Sequence, residues 1–408
     1  MNQPLCVFSF EVNAPAISNQ CFCHRMNTRQ HKNSISILGT RGIPARHGGF
    51  ETFAEKLSFY LADKGWDVSI YCQCQGRHGL EQDIWRGVNL VKMSLPWEGA
   101  KGSILFDLRS AWHAAQRPGL ILTLGYNTAI FSVLHRIRRK SHIMNMDGLE
   151  WRRDKWSLPA KAWLYLNERA GCLLADHLIA DHPVIEAHLR TRVCAEKITM
   201  IPYGADEPED ADPSLLATLG IEPCKYALIV ARPEPENSIL EMVKAFSARK
   251  RNLKLVVLGH FDANSSWYHR AVLSAASGEV LFPGAIYDKG KLAALRKNNL
   301  LYMHGHRVGG TNPSLVESLA AGSPVLAHDN PFNRWVAGNK AVFFVDASDC
   351  SQILDELLAD GDRLEAMANA SRSQHKQLFT WPYVLSRYEN ILMKFSDSHL
   401  EANNSHAA

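Results

Sequence analysis

Hydrophobic positions along the chain change repeatedly between strand-like and helix-like spacing. A short β-rich run at 35–38 predicts a strand, and the glycine-rich loop after it leads into a segment at 51–64 with apolar residues at helical spacing. Gly65 is expected to end that helix, and 68–72 is the next predicted strand. Strand, loop, helix and strand form a βαβ unit, whose crossover is expected to be right-handed.

The alternation continues to residue 201 and starts again at 226, which predicts two doubly wound α/β domains. Further strands of the first domain are expected at 88–93, 120–124, 142–146, 178–180 and 198–201, with helices at 105–115, 129–136, 159–175 and 184–190. Strands of the second domain are expected at 226–230, 253–258, 280–282, 300–303, 324–327 and 341–344, with helices at 238–248, 267–277, 289–298, 315–321, 351–358 and 363–375. Two such Rossmann-like halves leave a cleft where the carboxyl ends of both sheets face each other.

The pattern also sets the expected domain limits. We place the first domain at 34–203 and the second at 204–381, and we expect a last helix at 382–395 to cross back to the first domain. Residues 1–33 are expected to be an unfolded extension, because the apolar run at 5–10 is too short for a signal sequence and acidic Glu11 follows it. Met26 is a candidate for the true start, and the polar segment 396–408 is expected to be disordered.

Composition agrees with a folded two-domain protein. The chain has 408 residues, of which 46% are hydrophobic and 21% charged. The net charge of +4 comes from scattered Lys and Arg, so nucleic-acid binding is not expected. One basic run contains Arg136, Arg138, Arg139 and Lys140. A run of this kind is usually a solvated face, and the alternative is contact with anionic lipid headgroups on the inner membrane surface.

The cysteines and the apolar runs indicate a cytoplasmic location. Nine cysteines, an odd number in a chain of this length, fit reduced thiols better than a disulfide framework. The chain lacks any run of about 18 apolar residues, so a membrane-spanning helix is not expected.

The first candidate site loop is GTRGIPARHGGFE, from Gly39 to Glu51. Glycines between a strand and a helix let the backbone approach a ligand closely, and Gly48 and Gly49 are the last two before the helix. The helix amides would then face a diphosphate or a developing oxyanion in the cleft. The alternative is a strand-to-helix turn in which the glycines only permit the bend.

The second candidate loop follows the strand at 142–146 and contains Asp147 and Glu150 beside two arginines and two tryptophans. Carboxylates accept hydrogen bonds from sugar hydroxyls, and indole rings cover the apolar face of a sugar. This mixture favours an acceptor sugar. The alternative is a helix cap with surface ion pairs.

The third and fourth loops open helices of the second domain. Arg232, after its first strand, is a natural bidentate ligand for phosphate, whereas Glu234 and Glu236 are expected to face solvent or the adjacent amides. In the fourth loop, amides near Gly310–Asn312 are expected to contact the diphosphate. Glu317 lies one turn into the following helix, where it could accept both ribose hydroxyls.

Signals for other chemistry are missing from the sequence. His304, His306 and Arg307 lie close together, but neither G-x-S-x-G nor H-E-x-x-H occurs and carboxylates at metal spacing are lacking. The D-x-D pattern at 210–212 fits the spacing of a metal clamp but falls in the linker. No cofactor and no essential metal are therefore predicted.

With these loops in view, the chain resembles the family-4 retaining glycosyltransferases. It is most similar to the capsule and exopolysaccharide rhamnosyltransferase subgroup whose first loop is GTRGIPxxxGGFE. The resemblance spans about 34–388 and rests on GTRGIPARHGGFETF, MDGLEWRRDKW, ARPEPEN and HGHRVGGTNPSLVES together. It implies the GT-B fold, two Rossmann-like domains with the nucleotide sugar bound by the second.

The resemblance also implies roles for individual residues. In the wider family, two glutamates separated by seven residues mark the nucleotide-sugar site; Glu317 matches the second, and Gly309 stands at the position of the first. An arginine with a lysine five residues on holds the diphosphate; Arg232 matches the first, and Asn237 replaces the lysine. A histidine near the reacting sugar is replaced around Asp147. Gly48, Gly49, Gly309, Gly310, Thr311 and Asn312 complete the predicted donor site.

The implied reaction transfers a hexosyl residue with retention of configuration to a saccharide acceptor, with a lipid-linked one the first expectation. The resemblance favours dTDP-rhamnose as the donor, and UDP- or GDP-hexose donors are the alternative. Arg232 and the helix amides would stabilise the leaving diphosphate, while Asp147 and Glu150 would orient the acceptor hydroxyl or the transferred sugar. The rival functions are a GT-B epimerase or phosphorylase, a non-catalytic nucleotide-sugar binding protein, and an NAD-dependent enzyme, which the missing G-x-G-x-x-G disfavours.

Overall fold

The structure is a computed structural model that describes residues 33–45, 48–76, 79–97, 99–209 and 211–405, with side chains as far as residue 396. The expectations for residues 1–32 thus lie outside the described residues.

The first sheet has eight strands in the order β3-β4-β2-β1-β5-β6-β7-β8. All neighbouring strands are parallel except β3, which runs antiparallel to β4 at the edge. The strands are β1 (Ser34–Leu38), β2 (Asp67–Gln75), β3 (Gly79–Trp85), β4 (Val88–Leu95), β5 (Leu120–Leu124), β6 (His142–Asn145), β7 (His177–Ala180) and β8 (Ile198–Met200). The helices between them are α1 (Gly49–Asp63), α2 (Gly99–Ala114), α3 (Val133–Ile137), α4 (Leu158–Leu174) and α5 (Pro183–Leu189).

The second sheet has six parallel strands in the order β11-β10-β9-β12-β13-β14. Its strands are β9 (Tyr226–Val230), β10 (Lys254–Leu258), β11 (Val280–Gly284), β12 (Leu301–His304), β13 (Val325–His328) and β14 (Val342–Phe344). The helices from the linker onward are α6 (Ser214–Ala217), α7 (Ile239–Ser247), α8 (Trp267–Ser274), α9 (Lys289–Lys297), α10 (Pro313–Ala321), α11 (Pro331–Ala337), α12 (Ala347–Leu358), α13 (Gly361–Leu378) and α14 (Trp381–Ser405).

Each sheet buries an apolar layer against its helices. In the first domain, Ile37 and Ile70 of the central strands pack in one cluster with Phe53 and Leu57 of α1. In the second domain, helix α7 contributes Met242 and Phe246 to the equivalent layer. These positions recur at strand and helix spacing, which is why the periodicity predicts them.

Helix α14 packs on the first sheet although it follows the second in sequence. Trp381, Val384 and Tyr388 belong to the cluster that contains Phe53, and Asn145 Nδ2 donates a 2.7 Å hydrogen bond to the Tyr388 hydroxyl. The backbone helix continues to Ser405, past residue 396, where we expected a disordered segment to begin. The segment contains neither Pro nor Gly, the residues that stop helices most strongly.

Two elements were not expected from the sequence. All residues of β3 are exposed or half-buried, so this edge strand lacks the apolar face that a pattern search needs. Helix α11 has seven residues and begins at Pro331, after Asn330 accepts a 3.0 Å hydrogen bond from the amide of Asn333. Such a short capped helix carries too few periodic positions to stand out.

Candidate active site

The loops at the carboxyl ends of the two sheets meet in the cleft. Gly49, the first residue of α1, lies against Pro313, the first residue of α10, because a Cβ added at Gly49 would come within 2.8 Å of the Pro313 Cγ. The predicted first and fourth loops are thus in contact, and only glycine permits this approach.

The second loop reaches the same place. Asp147 has a left-handed backbone (φ 50°), and its amide donates a 2.9 Å hydrogen bond to Asn145 Oδ1. A Cβ on the next residue, Gly148, would lie 3.4 Å from the Cα of Gly309 and 3.6 Å from the amide nitrogen of Gly310. Burial, reinforced by the nearby Glu150 carboxylate, raises the pKa of Asp147 to about 6.

Asp181, directly after β7, completes this contact and was not predicted. Its Oδ2 accepts a 3.0 Å hydrogen bond from the Thr311 amide, and its backbone carbonyl accepts a bond from the Thr311 hydroxyl. Its Oδ1 is buried without a hydrogen-bond partner. Burial, with the Asp147 charge as the second cause, raises the pKa of Asp181 to about 7. One amide that was expected to bind diphosphate therefore binds a carboxylate of the other domain.

Glu150 also has a contact that the sequence did not indicate. Arg153 donates from Nε to Glu150 at 2.6 Å and from Nη1 to Glu236 at 3.0 Å, so one guanidinium joins the two domains. The expectation that Glu236 faces solvent or adjacent amides is wrong: its side chain is only 8% exposed and pairs with Arg153. An interdomain arginine offsets the carboxylate charge that would otherwise repel phosphate.

The third loop is held by its own side chains. Arg232 is exposed, whereas Asn237 is buried and its Nδ2 donates a 2.8 Å hydrogen bond to the Arg232 carbonyl. Asn237 therefore fixes the backbone that carries Arg232, and direct contact of Asn237 with a ligand stays a prediction. Burial lowers the pKa of the His306 imidazole to about 3, and the positive charge of nearby Arg232 contributes to this shift.

The fourth loop leads into the predicted nucleotide site. Asn312 caps α10, since its Oδ1 accepts a 3.0 Å hydrogen bond from the amide of Ser314. Glu317 on α10 is half-buried and forms an ion pair with Arg296 of α9. Burial raises the pKa of the neighbouring Tyr203 hydroxyl, and the negative charge of Glu317 raises it further. Glu317 of the second domain thus lies close to Tyr203 at the end of the first domain.

The histidines of the fourth loop do not form a charged cluster. The rings of His304 and His306 stack with centroids 4.4 Å apart, and burial lowers the pKa of both. Arg307 donates to the Ser238 hydroxyl at 2.8 Å and to Glu241 at 2.9 Å. Within the described residues, no group of three or more His, Cys, Asp or Glu is placed to hold a metal ion.

The structure therefore gathers most of the predicted site residues around one opening. Those brought together are Gly48, Gly49, Asp147, Glu150, Gly309, Gly310, Thr311, Asn312 and Glu317. Three residues of this site were not predicted in these roles from the sequence. They are Asp181, Arg296, and Arg153 as the link between Glu150 and Glu236. Asp181 alone had a usable signal, an acidic residue at the carboxyl end of a predicted parallel strand.

Two family models match this chain. Residues 32–206 match a domain of unknown function (DUF1972), and residues 217–374 match the family "Glycosyl transferases group 1". A curated relative, the phosphatidyl-myo-inositol mannosyltransferase of Mycolicibacterium smegmatis, is 26% identical over 216 residues, which cover 51% of this chain and 55% of that protein. The match thus spans about half the length of the curated relative.

Solved structures share the whole architecture. A sucrose-phosphate synthase from Thermosynechococcus elongatus superposes with a TM-score of 0.78 at 17% identity, covering 90% of this chain and 100% of the other. Anabaena HepE in complex with UDP and glucose gives 0.70 at 13% identity, covering 89% and 100%. An α,α-trehalose 6-phosphate synthase from Burkholderia multivorans gives 0.69 at 11% identity, covering 91% and 98%.

At these identities the likeness establishes the fold, and it confirms the predicted α/β architecture of two Rossmann-like domains. The chain as a whole has the GT-B fold of its structural neighbours, and residues 217–374 are similar to group 1 glycosyl transferases.

Proposed function

We propose that the protein is a retaining glycosyltransferase that moves a hexosyl residue from a nucleotide diphosphate sugar to a lipid-linked saccharide in surface polysaccharide biosynthesis. One observation carries the proposal: the N-terminus of α10, with Glu317 one turn further on, faces Gly49 and the Asp147–Gly148 turn across the cleft. Amides at a helix N-terminus bind a diphosphate, and a carboxylate one turn on accepts ribose hydroxyls.

The chemistry requires an electropositive leaving-group site beside a more acidic reaction site. Arg232 and the α10 amides would stabilise the diphosphate as it leaves, and losing one such donor typically costs about 3–4 kcal/mol of transition-state stabilisation. Asp147 and Glu150 would orient the acceptor hydroxyl or the transferred sugar. The hydrogen bond from the Thr311 amide to Asp181 must break before a phosphate oxygen can accept from that amide.

For the donor we propose dTDP-rhamnose, on the resemblance of the four loops to the rhamnosyltransferase subgroup. The alternative is a UDP- or GDP-hexose, which the UDP and glucose in the HepE complex and the mannosyltransferase relative favour. Incubating the purified protein with dTDP-rhamnose, UDP-glucose and GDP-mannose, with sugar release followed by proton NMR, separates these. We expect turnover of dTDP-rhamnose; turnover of UDP-glucose without dTDP-rhamnose would exclude our choice of donor.

A lipid-linked acceptor requires that the protein reach a membrane surface from the cytoplasm. No helix in the described parts of the chain has the length and apolarity to cross a bilayer. The 3-10 helix Ala129–Ser132 contacts α2, α3 and α4, and together these helices expose large apolar side chains. The exposed residues are Leu108, Trp112, Ile130, Val133, Ile137 and Leu166. We call this surface the apolar face.

Charge complements the apolar face. The basic run Arg136, Arg138 and Arg139 is exposed and lies on α3 and the turn that follows it, beside Ile137, which is 70% exposed. Exposed apolar side chains interleaved with cations suit an anionic bilayer surface, since each basic residue near it contributes about 1 kcal/mol. We therefore propose that the apolar face rests on the inner leaflet.

A non-catalytic nucleotide-sugar binding protein is the second candidate, because a bound nucleotide alone would satisfy Glu317 and Arg232. The two differ in the effect of Arg232→Ala. In an enzyme this change lowers the turnover of bound donor, whereas in a binding protein it alters the dissociation constant and no turnover is found with any donor.

A further inference from the structure

A cavity of about 70 Å³ lies in the first domain, between the carboxyl ends of β1 and β5 and the helices α2 and α3. Several polar side chains line it. Asp107 and Ser110 come from α2, Thr128 and Ser132 from the segment after β5, and His135 from α3. Gly39 and Gly125, which follow β1 and β5, also line it.

Asp107 is a carboxylate with few donors. The Thr128 hydroxyl donates a 2.8 Å hydrogen bond to its Oδ2. Burial nevertheless raises the pKa of Asp107 to about 6, against the opposing effect of that hydrogen bond. A carboxylate in such a position gains from any further hydroxyl that donates to it.

His135 provides a second, independent sign of a missing partner. Its side chain is 2% exposed, and neither ring nitrogen has a hydrogen-bond partner. The backbone of Ala111 makes at most a weak hydrogen-bond-like contact with the ring, short of hydrogen-bond geometry, and the His142 ring packs on one side with centroids 4.7 Å apart. A buried polar group left without a partner costs about 1–3 kcal/mol, so a ligand that supplies one is favoured.

The cavity adjoins the candidate active site. A Cβ added at Gly125 would lie 3.5 Å from the ring of Phe50, which follows Gly49 in α1. The next residue, Tyr126, accepts a 2.8 Å hydrogen bond at its hydroxyl from the amide of Glu150. The segment that walls the cavity therefore also fixes the second site loop.

The outer surfaces of the same two helices belong to the apolar face. Trp112 and Ile137 line an outer groove between α2 and α3, with Arg138 at its edge. A lipid-linked saccharide held on this face would bring its polar head beside helices whose other side lines the cavity.

We propose that this cavity binds the hydroxyl groups of the acceptor's terminal sugar, with Asp107 accepting from one or two hydroxyls and His135 bonding another. The volume admits part of a sugar ring, such as a hydroxymethyl group with its neighbouring hydroxyl. The proposal rests on the proposed function only for the statement that the bound sugar is the acceptor.

Saturation-transfer NMR with a panel of methyl glycosides of common hexoses tests the cavity directly. We expect at least one glycoside to bind the full chain, and Asp107→Asn to weaken that binding about tenfold or more. Thr128→Val, which leaves the carboxylate unsupported, should weaken it less. Asp154→Asn is the matched control, since the side chain of Asp154 is 98% exposed. Binding of dTDP or UDP measured by calorimetry should be the same in all four proteins, which also shows that they fold.

The outcomes separate the two proposals. Equal glycoside affinity in the wild type, Asp107→Asn and Thr128→Val, or a wild type that binds none of the panel, overturns the cavity as a sugar site. Glycoside binding that depends on Asp107, in a protein that turns over no nucleotide sugar, supports the cavity and overturns the proposed function.

Discussion

Glu317 is the residue on which nucleotide binding depends most in our account. It shares its carboxylate with Arg296, whose side chain is 12% exposed, and it lies beside Tyr203. A ribose would bind the remaining acceptor positions of the same carboxylate. The Glu317 carboxylate would thus bind Arg296 and the ligand at the same time.

We expect Glu317→Gln to raise the dissociation constant of a nucleoside diphosphate about ten- to a hundredfold, because hydrogen bonds to a charged group contribute about 1.5–3 kcal/mol. Isothermal titration calorimetry measures this. Glu186→Gln is a matched control, since it removes a helical glutamate that pairs with Arg190 at 2.8 Å. Equal affinity of Glu317→Gln and the wild type would refute the ribose role.

Asp181 makes the stability of the protein depend on pH, and the direction of this dependence follows from its pKa. Its pKa rises from 3.8 to about 7 in the folded protein, so the folded state binds this proton more tightly than the unfolded chain does. The contribution of Asp181 to stability therefore falls as the pH rises from about 4 to about 7. The Asn side chain in Asp181→Asn can still accept from the Thr311 amide and does not titrate.

Asp181→Asn should accordingly become more stable relative to the wild type between about pH 5 and pH 8, by on the order of 1–3 kcal/mol. Urea unfolding at both values measures the difference. Asp212→Asn is the control, because hydrogen bonds from Ser214 lower the pKa of Asp212, so this group is ionised in both the folded and the unfolded state at these two pH values and its effect on stability should not differ between them. A constant difference between Asp181→Asn and the wild type would contradict the shifted pKa.

At this scale the sequence predicted the residues that belong to local motifs. Gly49, Asn312 and Glu317 could be assigned to the site from the sequence. Each belongs to a single segment in which a strand, a loop and the start of a helix follow one another. The partners of Asp181 and Arg153 could not be predicted, because Thr311 and Glu236 are distant in sequence and belong to the other domain. The spacing of residues within one segment does not indicate which residue of the other domain will contact it.

At the scale of elements, the starts of α1 and α10 are the critical pair. Gly49→Ala would place a Cβ 2.8 Å from the Pro313 Cγ, which forces the two helix ends apart. We expect transfer or donor hydrolysis to fall at least about tenfold, because a displacement of about 1 Å can cost a hundredfold in rate. Thermal unfolding should change little.

Gly361→Ala is the matched control for that substitution. Gly361 is also the first residue of a helix, α13, and a Cβ there would meet nothing within 4 Å. Activity that is lost equally in both variants, or in neither, would contradict the close approach of α1 and α10.

The apolar face makes a second prediction for elements. The protein should co-sediment with vesicles that contain about a third phosphatidylglycerol and far less with phosphatidylcholine alone, because basic residues attract anionic lipid. The double variant Trp112→Ser, Ile137→Ser should lose most of this binding. Trp267→Ser is the control, since Trp267 is 66% exposed on α8 of the second domain. Equal loss in both variants would show that the apolar face has no special role.

Elements with a buried face were predicted with small errors at their ends, because burial imposes periodicity. The edge strand β3 was not, since it has no buried face, and it depends on pairing with β4, for example Gln82 opposite Val91. The same limit explains α14, whose backbone helix runs past the last apolar position that a pattern could use.

At the scale of the whole molecule, two chain segments that join the domains lie side by side. Ala205 and Thr380 form a parallel bridge, and the Ala205 amide donates a 2.8 Å hydrogen bond to the Phe379 carbonyl. Gly204 packs so closely on Trp381 that an added Cβ would come within 2.7 Å of the indole. These contacts hold the two connecting segments together where the chain crosses between the domains.

In the described residues, the contacts between the domains around the cleft include polar and aromatic pairs. Thr311 contacts Asp181, Arg153 joins Glu150 to Glu236, and the ring of His182 packs on Phe332 with centroids 5.1 Å apart. The two domains could be predicted from the alternation of strands and helices, whereas these contacts could not, because they depend on how two separately patterned halves meet.

The central claim is that this cleft binds a nucleotide diphosphate through the second domain. Calorimetric titration of the purified full chain with dTDP, UDP and GDP tests it most directly. We expect saturable one-to-one binding of at least one of them, and loss of that binding in Glu317→Ala while the protein stays folded. No binding of any of the three, or equal binding in Glu317→Ala, would contradict a nucleotide site in this cleft.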